Sequence, residues 1–199
     1  MKLESNIKNM TMVLTIISVV AGGALAAVNS ITSKQIEKIN AENLSKGIKE
    51  VLRVETDDSL NVIEETDSVS GFTFYTTNKG VAIKTSSNGF GGPIEILTGF
   101  DEEGTILGYQ ILSHAETPGL GAKVSEWFQK GQKGDIIGKN PGQCNLTVSK
   151  DDGDIDAITA STITSRAFLR GVQAAYDSKF TKATTDAQSG ATKKEGGQE

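Results

Sequence analysis

The sequence predicts an α+β domain, built on a central and partly antiparallel sheet, behind a single N-terminal transmembrane helix. Three observations carry this expectation. An uncharged apolar run lies near the N-terminus, short segments rich in β-branched and aromatic residues fill the middle, and apolar residues at helical spacing return towards the end. With 199 residues and 37% hydrophobic content the chain can bury one real core, which favours a single compact unit beyond the anchor. The expected organisation is a cytoplasmic N-terminus at 1–9, a transmembrane anchor at 10–32, an amphipathic connecting helix at 33–54, the domain at 55–181 and a disordered tail at 182–199.

Met10 to Val28 reads MTMVLTIISVVAGGALAAV, and no charge occurs from Asn9 to Ser33. At ~1.5 Å per helical residue this run matches a hydrocarbon core of ~30 Å. Gly22, Gly23 and the neighbouring alanines suit close approach by another helix in the membrane. A cleaved signal peptide is the rival, because Lys2 and Lys8 precede the run and Ala24-Leu25-Ala26 resembles a processing site. The length of the run favours an uncleaved anchor. Its orientation is not set by charge, since Lys2 and Lys8 on one side face Lys34, Lys38 and Lys46 on the other.

Thr32-Ser33-Lys34-Gln35 has the spacing of a capping box, and Ile36, Ile39, Leu44, Ile48, Val51 and Leu52 follow at helical intervals. Gly71 to Thr76, Val81 to Thr85, Ile94 to Phe100 and Thr105 to Leu112 read as strands. Asn78-Lys79-Gly80 and Asp101 to Gly104 are the turns between them. Val124 to Lys130 is a short helix with Val124, Trp127 and Phe128 inward. Ile163 to Phe180 is a longer one that uses Leu169, Val172, Ala175 and Tyr176. After Lys182 there is too little apolar content to offset the entropy of ordering.

Composition removes several functions. A net charge of -5 and a pI near 5.1 argue against a nucleic-acid binder. One cysteine, Cys144, precludes an internal disulfide or a self-contained iron-sulfur or zinc site, and one histidine, His114, precludes multi-histidine metal or haem ligation. Redox chemistry in this chain would therefore need an organic cofactor. The acidic run Asp151, Asp152, Asp154 and Asp156 fails as a calcium loop, because counting from Asp152 puts Ala157 where Gly is required and Ile163 where Glu is required. Ser113 beside His114 has no nucleophile elbow around it.

Two segments carry chemical information. Ser113 to Lys123 reads SHAETPGLGAK, leading from a strand into a helix. Its Pro118, Gly119 and Gly121 bring backbone amides close to a ligand, while His114, Glu116 and Thr117 supply donors and acceptors. An ordinary glycine-rich turn is the competing account. Asp154 to Arg166 reads DIDAITASTITSR and gathers hydroxyl residues at the start of a helix, where unpaired amides and a partial positive charge favour a phosphate. Ordinary capping by Ser and Thr is the alternative there. Arg166 is placed to pair with an anion one turn in. Gly89 to Pro93 reads GFGGP, which lacks the following Lys-Ser/Thr of a phosphate loop and precedes a strand, so it reads as a hinge at Phe90.

Through the run His114 to Gly121 and the pattern Asp156 with Thr159 to Thr162, the sequence resembles the flavin-binding G subunit of the Rnf electron transport complex. It is more distantly similar to the C subunit of the sodium-translocating NADH:quinone reductase, and the likeness spans roughly Met10 to Phe180. The resemblance implies an FMN-binding α+β domain with FMN joined as a phosphoester to Thr162 by a separate flavin transferase, which reads a motif that includes Asp156. It further implies that His114, Glu116, Thr117, Gly119, Leu120, Thr159, Ala160, Ser161 and Thr164 line or shape the FMN site. Where the family has Gly-Ala, this chain has Ala160-Ser161. If that position has φ > 0, Ala160 is strained by ~1 kcal/mol or more, and if it is helical the alanine is harmless. Ser161 also places a second hydroxyl beside the acceptor.

The implied function is an electron relay in a membrane-bound, ion-translocating ferredoxin:NAD oxidoreductase. Its partners would be membrane and iron-sulfur subunits, in the bacterial inner membrane with the C-terminal domain on the extracytoplasmic side. Two alternatives remain: a membrane-anchored partner-binding module without cofactor, and a stand-alone extracytoplasmic flavin reductase.

Overall fold

The computed structural model describes residues 7–54, 62–67 and 71–181. The expected tail at 182–199 and part of the segment leading into the domain lie outside the described residues. The chain divides into two compact units, one ending at Leu44 and the other beginning at Ser45.

Helix α1 spans Ile7–Val51 and is, among the described residues, the one helix long and apolar enough to cross a membrane, with a mean hydropathy of 2.2 over its best window and none of that window buried by protein. No helix starts at the expected capping box. Thr32 lies inside α1 and its hydroxyl donates to the Val28 carbonyl one turn back at 2.9 Å. A carbonyl of the preceding turn already serves this side chain, so the capping pattern has no orphan amides to satisfy. The expected sticky face is only partly used: Ile36 and Ile39 are exposed, while Ile48, Val51 and Leu52 are buried in the second unit.

That unit is organised by one sheet of five strands, β1 (Ile63–Asp67), β2 (Phe72–Thr77), β3 (Gly80–Asn88), β4 (Pro93–Phe100) and β5 (Ile106–Ser113), in sequential order. Every neighbouring pair is antiparallel, so the sheet is antiparallel throughout. β1 is additional to the expected strands, because IEETD is mostly acidic and lies exposed at the sheet edge. The turn after β2 closes through Thr77, whose hydroxyl donates to the Gly80 carbonyl at 3.0 Å. The turn after β4 is tied by Asp101 Oδ1, which accepts from the amides of Glu103 and Thr105.

Strand alternation divides β4 between two faces. Ile94, Ile96 and Phe100 join the main core, where Ile96 approaches Gly171 of helix α3 (Thr162–Tyr176). Leu97 and Gly99 look the other way, onto the last turns of α1. Gly99 is the direct cross-strand partner of Gly108, and together they leave a notch for the Val51 backbone: a Cβ on Gly99 would overlap the Val51 carbonyl oxygen and lie 2.7 Å from its carbon. On the α3 side, Phe128 stacks on Phe168 at 4.5 Å, and Tyr109 leans on Phe168 at 4.7 Å. The Tyr109 hydroxyl donates to the Val124 carbonyl and accepts from the Phe128 amide, and burial raises its pKa. Helix α2 is only Val124–Trp127, entered through a 3-10 turn at Gly121–Lys123. After Tyr176, α3 widens into a π-helical turn at Asp177–Thr181.

Candidate functional site

The site forms where two glycine-rich loops meet the N-terminus of α3. One loop, Gly89 to Gly92, connects β3 to β4 and closes with a 2.8 Å bond from the Gly89 amide to the Gly92 carbonyl. The other leaves β5 at Ser113 and runs through His114 to the turn at Gly121. Glu116 joins all three parts. Its Oε1 accepts from the amides of Phe90 at 2.7 Å and Gly91 at 3.1 Å, and its Oε2 accepts from the Thr164 hydroxyl at 2.8 Å. Only 5% of the residue is exposed, and among the described residues no cation is bonded to it. Three donors satisfy the buried carboxylate instead. Two glycines make room for it, because a Cβ on Gly89 would overlap Oε1 and one on Gly121 would overlap Oε2.

The second segment arrives from a 3-10 turn at Ser149–Asp151. Val148 and Ile155 form an isolated parallel bridge, and buried Ile155 and Ile158 anchor the chain up to α3. Ser165 locks the junction: its hydroxyl donates to the Ser161 carbonyl at 3.0 Å and accepts from the Ile158 amide at 2.9 Å. Ser161 is the N-cap residue but makes no side-chain cap, so ordinary hydroxyl capping does not explain this serine. The amides of Thr162, Ile163 and Thr164 consequently have no acceptor among the described residues. Thr162 opens α3, and its Oγ1 accepts from the Lys150 ammonium at 3.4 Å. Ala160 has φ 63, the left-handed conformation, so the alanine is at a position suited to glycine.

Between these walls lies a cavity of ≈ 430 Å³. Phe90, Glu116, Thr117 and Leu120 line it from the loops, and Ala160 to Thr164 from the helix start. Its apolar lining is unusually open to solvent: Phe90 is 71%, Ile163 50% and Leu120 43% exposed. The result is an open, largely apolar cavity bordered by the helix-start amides and by Thr162, to which Lys150 is bonded, in the size range of sites for small organic ligands.

The structure brings Glu116, Thr117, Leu120, Ala160, Ser161, Thr162 and Thr164 together on this cavity. The other expected residues are placed around it. His114 is exposed and its Nδ1 accepts from the Glu116 amide at 3.2 Å, which shapes the loop without lining the cavity. Gly119, at φ 76, makes the turn. Thr159 is exposed beside Ala160. Asp156 points away, accepting from the Ser149 hydroxyl at 2.9 Å, while its carbonyl accepts from the Trp127 indole at 2.8 Å. Arg166 reaches no free anion; it holds Asp151 through two bonds of 2.6 and 2.7 Å, which draws the Asp151 pKa down. Among the described residues no group of His, Cys, Asp and Glu side chains could hold a metal ion. Sequence reasoning missed Lys150, whose link to Thr162 spans twelve residues and follows no periodicity.

Comparison with known proteins places the FMN-binding domain family on residues 89–177, which includes both loops and α3. The chain is 33% identical over 180 residues to the G subunit of the ion-translocating oxidoreductase complex of Vibrio vulnificus, covering 80% of this chain and 83% of that protein. It is 32% identical over 179 residues to the G subunit of the proton-translocating ferredoxin:NAD(+) oxidoreductase complex of Clostridium ljungdahlii, covering 87% and 92%. Among solved structures, the C subunit of the Na(+)-translocating NADH-quinone reductase from Parabacteroides distasonis aligns with a TM-score of 0.48 at 18% identity, covering 74% of this chain and 96% of that one.

Proposed function

Because this chain belongs to the G-subunit family of ion-translocating oxidoreductase complexes, we propose that it is an electron relay of the ferredoxin:NAD type, with FMN esterified through its phosphate to Thr162. The observation that carries this reading is the place of Thr162: its hydroxyl opens α3 at the lip of the apolar cavity, beside three amides without acceptors and the Lys150 ammonium. These residues fit the group. The unpaired amides and the positive end of α3 suit a phosphate, and exposed Phe90, Leu120 and Ile163 suit the faces of a flat ring. Bound FMN supplies a centre that accepts and passes on electrons.

The chain's own residues bind and orient. Glu116 fixes the Phe90 loop against α3, so that the two walls of the cavity keep their separation. Thr117 and Leu120 are held by the Leu120 and Ala122 amides, which both donate to the Thr117 carbonyl at 3.2 Å. A flavin transferase would make the ester by exchanging the nucleotide of a flavin dinucleotide for the Thr162 Oγ, with the nucleotide and the hydroxyl proton as the leaving products. No redox change accompanies that step. Helix α1 keeps the relay in the membrane plane, at high effective concentration relative to partner subunits, with the flavin domain on the extracytoplasmic side. An ester bond suits that side because a released cofactor would be lost.

The test is expression of the full chain with and without a flavin transferase, followed by in-gel fluorescence after denaturation and mass spectrometry of a chymotryptic digest. Fluorescence that requires the transferase, with the flavin mass on a peptide containing Thr162 and absent in Thr162→Ala, is the expected result. A flavin on Ser161, or none, overturns the assignment.

A further inference from the structure

We propose that the turn Ser149–Asp151 is a clasp for the flavin phosphate: Lys150 is its cationic partner, and the residues on either side hold that lysine in place. This rests on the attachment to Thr162 proposed above and assigns new residues to that site.

Three consecutive side chains of this one turn each grip a different residue of the attachment segment. Ser149 shares its hydroxyl proton between Asp156 Oδ1 at 2.9 Å and the Ile155 carbonyl at 3.0 Å. Lys150 donates to Thr162 Oγ1 at 3.4 Å. Asp151 accepts through both carboxylate oxygens from Arg166, one turn into α3. Backbone bonds make the turn a fixed frame, with the Ser149 amide donating to the Ile155 carbonyl and the Asp151 amide to the Val148 carbonyl, both at 2.8 Å. Since alternate grips flank Lys150, its ammonium is aimed rather than left to wander, as an exposed lysine otherwise would.

The electrostatics give the aim a purpose. Asp151, the adjacent acid, is held by Arg166, so the lysine is bonded to a neutral hydroxyl. A long bond from an ammonium to a threonine oxygen is a weak use of a full charge. Once that oxygen carries a phosphodiester, the negative charge lies on phosphate oxygens two bonds beyond the atom Lys150 already touches, within reach of the same ammonium, and the contact becomes charge-assisted. The clasp also gives Asp156 a physical role. It does not line the cavity, and its carboxylate reaches Thr162 only through Ser149 and the turn, which makes Asp156 and Ser149 positioning residues.

The experiment uses the full-length chain co-expressed with a flavin transferase, comparing wild type with Lys150→Gln, Lys150→Arg, Ser149→Ala and the Ser149→Ala/Lys150→Gln pair. Covalent flavin is followed over time by intact mass and in-gel fluorescence, and the phosphodiester by its phosphorus NMR resonance in the purified, loaded protein. For an exposed, charge-assisted contact, Lys150→Gln slows loading by roughly 3- to 10-fold, and Lys150→Arg restores most of the rate. Ser149→Ala slows loading in the same direction and adds nothing once Lys150 is gone. The resonance of loaded Lys150→Gln is displaced while its melting temperature stays at the wild-type value, a combination that a purely structural role would not produce. Wild-type loading and an unchanged resonance in Lys150→Gln overturn the clasp, as do fully additive effects of the two substitutions. If wild type carries its flavin on Thr162 and Lys150→Gln is indistinguishable from it, the clasp alone fails; if wild type carries none there, the attachment reading fails with it.

Discussion

Replacing Ala160 by glycine should make the protein more stable, although the change removes a side chain. Ala160 is held at φ 63 immediately before the N-cap of α3. An L-residue in that conformation is disfavoured by about 1–2 kcal/mol relative to its ordinary range, because its Cβ crowds the backbone. Glycine removes the crowding but loosens the unfolded chain, which costs about 0.4–1 kcal/mol. Ala160 is exposed, so little packing is lost with its methyl. The balance is a gain of roughly 0.5–1 kcal/mol, equivalent to a rise in melting temperature of about 2–4 °C for a domain of this size. Thermal unfolding of the detergent-solubilised full chain, followed by circular dichroism, measures it. A valine in the same place should lower the melting point, since branching worsens the crowding. An unchanged or lower melting temperature for Ala160→Gly would refute the claim that this alanine is strained.

Three further outcomes follow from the same geometry. Gly99→Ala should destabilise by about 1–3 kcal/mol in urea titrations, because its Cβ meets the Val51 backbone and not a movable side chain; a wild-type midpoint would show that the notch is not close-fitting. Glu116→Ala should cost about 2–4 kcal/mol by leaving two amides and the Thr164 hydroxyl without their acceptor. Glu116→Gln should cost far less, since its oxygen keeps both amides and the Thr164 hydroxyl can turn to accept; equal losses would sink this account. Arg166 lowers the Asp151 pKa below its ordinary value of 3.8, so the pair's contribution is present above that pH and fades as pH falls through the lower folded value. The melting-temperature gap between wild type and Asp151→Asn should therefore be widest near neutrality and close on acidification, and a gap independent of pH would contradict the ion pair.

Much of the fold was legible because Val81 to Thr85 and Ile94 to Phe100 carry the β-branched and aromatic residues that suit strands, and β3 and β4 form there. β1 was hidden because an acidic edge strand has nothing to bury, and its pairing with Phe72–Thr77 is set by the partner rather than by its own residues. The apparent cap at Thr32 misled because the pattern of residues is identical whether a helix begins there or passes through. Within the site, both motifs were readable but their connection was not. A glutamate is ordinarily a surface residue, and nothing local to Glu116 shows that amides 25 and 26 positions earlier will enclose it. The position of Ala160 posed a choice between helical and left-handed backbone, which the structure resolves in favour of the latter.

The bond from the Trp127 indole to the Asp156 carbonyl gives the molecule a built-in optical probe. It is the one tryptophan in the chain. Gly134 packs so closely that a Cβ there would come within 2.7 Å of the ring. Intrinsic emission thus reports chiefly on the stretch that leads to Thr162, and it would shift to longer wavelength if that stretch peeled away from α2. Local fraying beside Thr162 can in this way be separated from collapse of the whole sheet, with no label introduced.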